Sequence, residues 1–128
     1  MLLLEDIYKE LLLEAVKENS VITAIKTKRV ILIDYSGDND NAPGRRSCEI
    51  YALGTSKSTG EPMIRAFQRE GVSATKNGNS NPKNNIPAFR LFYLKNITSF
   101  KNTIQYHLGD RPDYHQNDKM MSKIIYQL

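Results

Sequence analysis

Three arginines and a tyrosine, Arg46, Tyr51, Arg65 and Arg90, are the side chains of this sequence best suited to recognising a ligand. A guanidinium presents a rigid fork of donors to an anion, and an aromatic face accepts a stacked plane. With Phe67 beside them, the four offer what phosphates and bases need. Arg65 lies mid-way along Pro62–Phe67, PMIRAF, among apolar residues, where a buried cation without a partner costs stability. Two other readings stand beside this one. The arginines could pair with Glu49, Glu61 or Asp34 on a surface, at ~0–1 kcal/mol each and with no function. They could also line a protein interface.

Other chemistry is thinly represented. His107 and His115 stand near Asp110, Asp113 and Asp118, but neither their spacing nor the donor set is diagnostic of a metal. Asp38 and Asp40 fall in a turn-rich loop that lacks the register and closing glutamate of an EF-hand. Cys48, the single cysteine, sits on an apolar strand face and reads as a buried filler rather than a nucleophile. Gly-rich phosphate loops, a Ser-His-Asp arrangement and an HExxH helix are all missing from the sequence. The expectation is a non-enzymatic protein with no cofactor and no metal.

The charge is unevenly placed. Residues 1–20 carry two Lys and five Asp/Glu, a net −3, while residues 21–101 carry thirteen Lys/Arg against six Asp/Glu, a net +7. Residues 102–128 balance, and the whole chain is at +4. A basic middle points to an anionic partner or to a solubilising surface. A length of 128 residues suits one domain, and one cysteine excludes an internal disulfide. No apolar run approaches the ~20 residues of a membrane span, and the acidic start is unlike a signal peptide. A cytoplasmic location is expected.

These residues must be positioned by short elements. Leu4, Ile7, Tyr8, Leu11, Leu12 and Ala15 recur at helical spacing, predicting a helix over 4–18 whose wide leucine stripe packs on its own domain or on a partner subunit. Asn19 and Ser20 end it, and a second short helix follows over 21–28. Strands are predicted at 29–35, 46–53, 62–67, 88–93 and 97–101, with 54–60 as a turn. Ile31, Ile33 and Tyr35 share a face; so do Cys48, Ile50 and Ala52, with Tyr51, Arg65 and Phe67 opposite. In the fourth strand Phe89 and Leu91 point inward and Arg90 outward. Gln68 to Pro87 reads as a long polar loop carrying Arg69, Lys76 and Lys83. Met120, Met121, Ile124, Ile125 and Leu128 suit a closing strand or helix.

The resulting fold class is mainly β with a flanking helix (α+β): a small five-stranded, partly open SH3- or Sm-like barrel. Its organisation is an amphipathic helix over 1–20, the barrel over 21–101 and a C-terminal extension over 102–128.

From Ala24 to Phe100 the chain resembles WYL domains. The segments that carry the resemblance are AIKTKRVILIDY (24–35), RSCEIYAL (46–53), PMIRAF (62–67) and FRLFYLKNI (89–97). The name-giving tryptophan has no counterpart, Met63 and Ile64 standing in that region, and Phe92-Tyr93 replaces the family's Asp-Arg. The resemblance implies an Sm-like barrel that binds single-stranded nucleic acid or a nucleotide, with Arg46, Tyr51, Arg65 and Arg90 as contacts. The chain is also similar to small WYL-like proteins of tailed bacteriophages, down to a tail such as RPDYHQNDKMMSKI (111–124). That likeness implies a phage accessory protein or virion component, using the barrel as an interaction scaffold. Homo-oligomers or a larger assembly would then form through the leucine-rich helix.

Overall fold

The computed structural model describes residues 4–36, 44–71 and 87–128, and within the N-terminal helix leaves out the side chains of residues 10, 11 and 13–16. The Asp38 and Asp40 loop, Lys76, Lys83 and the Leu11 side chain therefore lie outside the described residues. Helix α1 runs unbroken from Leu4 to Thr27, where the sequence suggested two helices. Asn19 and Ser20 are mediocre helix formers, at a cost of only about half a kcal/mol each, and neither breaks a helix as Gly or Pro would. Beyond them Val21, Ala24 and Ile25 are buried at i, i+3, i+4 spacing and anchor the last turns. Lys28, at φ 56°, takes the left-handed conformation that ends the helix.

Among the described residues six strands follow: β1 (Arg29–Tyr35), β2 (Gly44–Ser56), β3 (Pro62–Gly71), β4 (Ala88–Tyr93), β5 (Ile97–Tyr106) and β6 (Met121–Gln127). They form an antiparallel sheet ordered β4-β3-β2-β1-β5. β2 is its spine. One edge meets β3 along its length; the other meets β1 from Gly44 to Glu49 and β6 from Ala52 to Ser56. Gly54 makes that second pairing possible, because a Cβ there would collide with the Lys123 carbonyl of β6 and lie 2.6 Å from Met121 Sδ. Among the described residues no ladder joins β4 to β5, so the strands form an open six-stranded sheet where a partly open five-stranded barrel was expected, within the same α+β class. A sixth strand, β6, occupies the part of β2 that β1 leaves free.

The main core lies between α1 and one face of the sheet, built from Val21, Ala24, Ile25, Ile31, Ile33, Tyr35, Cys48, Ile50, Leu53, Ile64, Ala66 and Phe92 among others. A smaller cluster of Ala52, Met63 and Met121 fills the other face. The shared face of Ile31, Ile33 and Tyr35 matches the sequence reading, but that of Cys48, Ile50 and Ala52 does not. Tyr51 is an extra residue in β2: Ile50 pairs with Ala66 and Ala52 with Arg65, so the alternation resets and Leu53 takes the core position. β4 is inverted relative to expectation too. Phe92 packs in the main core, while Leu91 joins the smaller cluster on the other face. Polar Gln68 to Gly71, read as loop, extend β3 instead.

Candidate functional site

The four nominated side chains divide between the two faces of the sheet. Cross-strand pairing of Ile50 with Ala66 and of Ala66 with Arg90 puts Arg90 on the α1 face, with Cys48 and Arg46. Arg46 is 1% exposed, its guanidinium carbon 5.1 Å from the Tyr35 ring and 5.3 Å from the Phe92 ring. Cation–π attraction to the two rings offsets part of its lost hydration. Burial pushes the Cys48 thiol up to about 12, although Arg46 and Arg90 pull it the other way. A thiol so placed is inert. Tyr51 and Arg65 lie on the opposite face, so no single surface unites the four.

That opposite face holds a polar and aromatic cluster centred on Glu49, buried at 1% exposure. Arg111 grips its carboxylate with Nε at 3.1 Å and Nη2 at 2.7 Å, and Tyr51 donates its hydroxyl proton at 3.0 Å. Arg69 Nε is 3.6 Å away. Burial alone would raise the Glu49 carboxyl; the bonds from Arg111 and Tyr51, with positive charge nearby, outweigh it and hold it below the usual range. The Arg111 guanidinium also covers the Phe67 ring at 4.1 Å. Tyr51 is fully buried among Phe89, His107 and Tyr114, with ring centroids 5.4, 5.2 and 4.8 Å away. The Tyr114 hydroxyl reaches toward the carbonyls of Tyr51 and Leu128.

His107 completes the cluster. The Gly109 N–H donates to its Nδ1 at 3.1 Å, which puts the proton of the neutral ring on Nε2. Nε2 is buried and has no hydrogen-bond partner among the described residues. Burial lowers the His107 pKa, against an opposing pull from Glu49, whose Oε1 is 3.7 Å from Nδ1.

Beside the cluster, Arg65 holds Asp118 in a two-point pair and so ties the segment 113–120 across β3. Between that segment and the sheet lies a groove of about 720 Å³. Arg65, Phe89, Tyr114, His115 and Lys119 are among the residues that line it. Asn117, in the left-handed region at φ 59°, is fixed by its N–H to Gln127 Oε1 at 2.9 Å. Among the described residues no three His, Cys, Asp or Glu side chains gather as a metal site, so His107, His115 and their neighbouring aspartates do not form one.

Of the three strand arginines, Arg65 forms a described ion pair, with Asp118 rather than with Glu49, Glu61 or Asp34, which serve other cations. Asp34 takes Arg45, Glu61 takes Lys95, and Glu49 takes Arg111 and Arg69. Arg111, His107 and Tyr114 were missed as cluster members because only tertiary contact brings the C-terminal extension to β2. Among the described residues no helix is long and apolar enough to cross a membrane. The chain matches no known family model, no curated protein and no solved structure.

Proposed function

We propose that the chain is a non-enzymatic interaction module that self-associates through the N-terminal half of α1. The observation that carries this reading is the exposure of Leu4 (82%), Tyr8 (66%), Leu12 (52%) and Ile7 (40%) on one stripe of the helix. Among the described residues, Val21, Ala24 and Ile25, which seat α1 on the sheet, come from its other end. Fully covering one such apolar side chain contributes about 1.5–3 kcal/mol, so four of them make a strong drive to find a partner surface. A second copy is the partner of choice, since the acidic residues 1–20 and the basic residues 21–101 of two copies attract. A phage accessory or virion component, which the sequence resemblance implies, is a setting in which such an assembly module would serve.

Sedimentation equilibrium of the full chain tests this. The wild type should exceed the 14.6 kDa monomer mass. A Leu4→Ser, Tyr8→Ser, Leu12→Ser variant should return to that mass with its melting temperature little changed. A wild type that stays monomeric at about 100 µM would defeat the reading.

The 113–120 groove supports a second reading, a WYL-like, Sm- or SH3-related module for single-stranded nucleic acid or a nucleotide. Phe89 and Tyr114 supply rings there, with His115, Lys119 and Arg65 around them. Tyr51 and Arg46 are too buried to touch such a ligand. Each phosphate contact should add roughly 0.7 to the slope of log affinity against log salt. An Arg65→Ala, Lys119→Ala variant should flatten that slope, and no binding of an oligothymidine strand at low salt would remove this reading.

A further inference from the structure

The outer edge of β5 and the cleft beside it involve none of the residues of the exposed stripe at Leu4–Leu12. β5 pairs with β1 on one side only, and among the described residues nothing pairs with its other edge. Sheet edges are ordinarily blunted by short length, proline or several charges. β5 has ten residues, ITSFKNTIQY, with no proline and one charge, Lys101. Near its end Ile104 is 92% exposed.

A cleft runs between this strand and α1. Its first compartment, about 230 Å³, is walled by Val21, Leu94, Ile97 and Phe100, with Lys17 at its margin. A second of about 430 Å³ shares Ser20 and Phe100 with it and adds Asn19, Thr23 and Asn102. A strand laid along β5 sends every second side chain to the α1 side, and those side chains are roughly 7 Å apart. Successive ones would enter the apolar compartment and then the polar one. Among the described residues Lys17 is the single charged residue in either lining, its Nζ 3.4 Å from the Leu94 carbonyl oxygen.

We propose that the β5 edge binds an extended segment of a partner protein by strand addition, a segment that alternates apolar side chains with polar and acidic ones. Backbone hydrogen bonds to β5 supply affinity, and the two compartments with Lys17 supply the side-chain preference.

The probe is a fluorescein-labelled nonapeptide in which valine alternates with glutamate and threonine, titrated into the full chain by anisotropy. Binding is expected, with slowed amide exchange confined to Ile97–Tyr106. N-methylation of alternate peptide amides, or replacement of its glutamates by lysine, should weaken binding about tenfold or more. Lys17→Glu should reverse the charge preference, with an unchanged circular dichroism spectrum showing that the fold survives. Failure of the nonapeptide to bind at millimolar concentration would overturn the proposal. Equal binding of the N-methylated peptide would do the same. So would a dimer whose β5 amides are protected without peptide and which persists in the Leu4→Ser, Tyr8→Ser, Leu12→Ser variant, because a second copy would then occupy the edge.

Discussion

Arg65 holds Asp118 across 53 residues of chain, Nε to Oδ2 at 2.5 Å and Nη2 to Oδ1 at 3.1 Å. The Asp118 side chain is 8% exposed and Arg65 22%, so water screens the pair only in part. Its hydrogen bond to Arg65 holds the Asp118 carboxyl below the usual range. Asp118→Asn should lower stability by about 1–3 kcal/mol, as loss of a charge-assisted two-point bond does. It should also raise amide exchange through 113–120 more than in β2. A thermal melt and an exchange map check both.

Glu49 supports a sharper test because one carboxylate serves several donors. Glu49→Gln leaves the Arg111 guanidinium without its counter-charge, and Arg111→Leu leaves a buried carboxylate. Arg111 is 38% exposed and can rehydrate, so the first change should cost about 1–3 kcal/mol and the second more. A double-mutant cycle by urea denaturation should give a coupling energy clear of zero. Strict additivity would show that the pair is incidental.

Acid lability should begin at His107. Glu49, Arg69, Arg111 and Lys28 surround the ring electrostatically, and burial sets its pKa below the ordinary value. The unfolded histidine then binds a proton near pH ~6.5, before the folded one does. Between those two values the unfolded state holds more protons, so stability rises with pH across the window and falls on acidification. Glu49 and Asp118, both depressed, act with the same sign lower down: their contribution is present above about pH 4 and is lost as pH falls through their folded values. The melting temperature should start to drop below about pH 6.5 in the wild type, and only near pH 4–5 in His107→Gln. Identical profiles would exclude the histidine as the first group to titrate.

Gly54 is required for the seat of β6. In Gly54→Ala the new methyl would meet the Lys123 carbonyl and Met121 Sδ, so β6 must shift away from β2. Overpacking of this kind costs about 1–3 kcal/mol. Heteronuclear NMR should show the largest shifts at Met121–Gln127 rather than along β3.

Much of the strand framework was legible because it follows from local pattern. β1 and β4 carry the predicted boundaries, and apolar alternation placed Ile31, Ile33 and Tyr35 correctly. The face of Ala52 was illegible: one extra residue at Tyr51 reverses the alternation, and no composition cue marks a bulge. Phe89 and Leu91 misled for another reason. Both faces of β4 are partly covered, so apolar character no longer says which face is inside. The candidate site was read least well. Aromatic and arginine types were identified, but the groups beside two of the guanidiniums come from other strands or from the C-terminal extension: Asp118 for Arg65, Tyr35 and Phe92 for Arg46. Helix continuity through Asn19 and Ser20 was set by the burial of Val21, Ala24 and Ile25, which outweighs weak local propensity.

The shared edge of β2 also bears on the order in which the chain completes itself. β1, β2 and β3 meet through neighbouring segments and can pair as soon as they leave the ribosome. β6 must instead close a loop of about 70 residues onto Ala52–Ser56, an entropic step that comes late. Until it does, half of one β2 edge stays open to other strands. A polypeptide in mid-synthesis thus exposes Tyr51–Ser56 to misassembly and depends on β6 to close that gap.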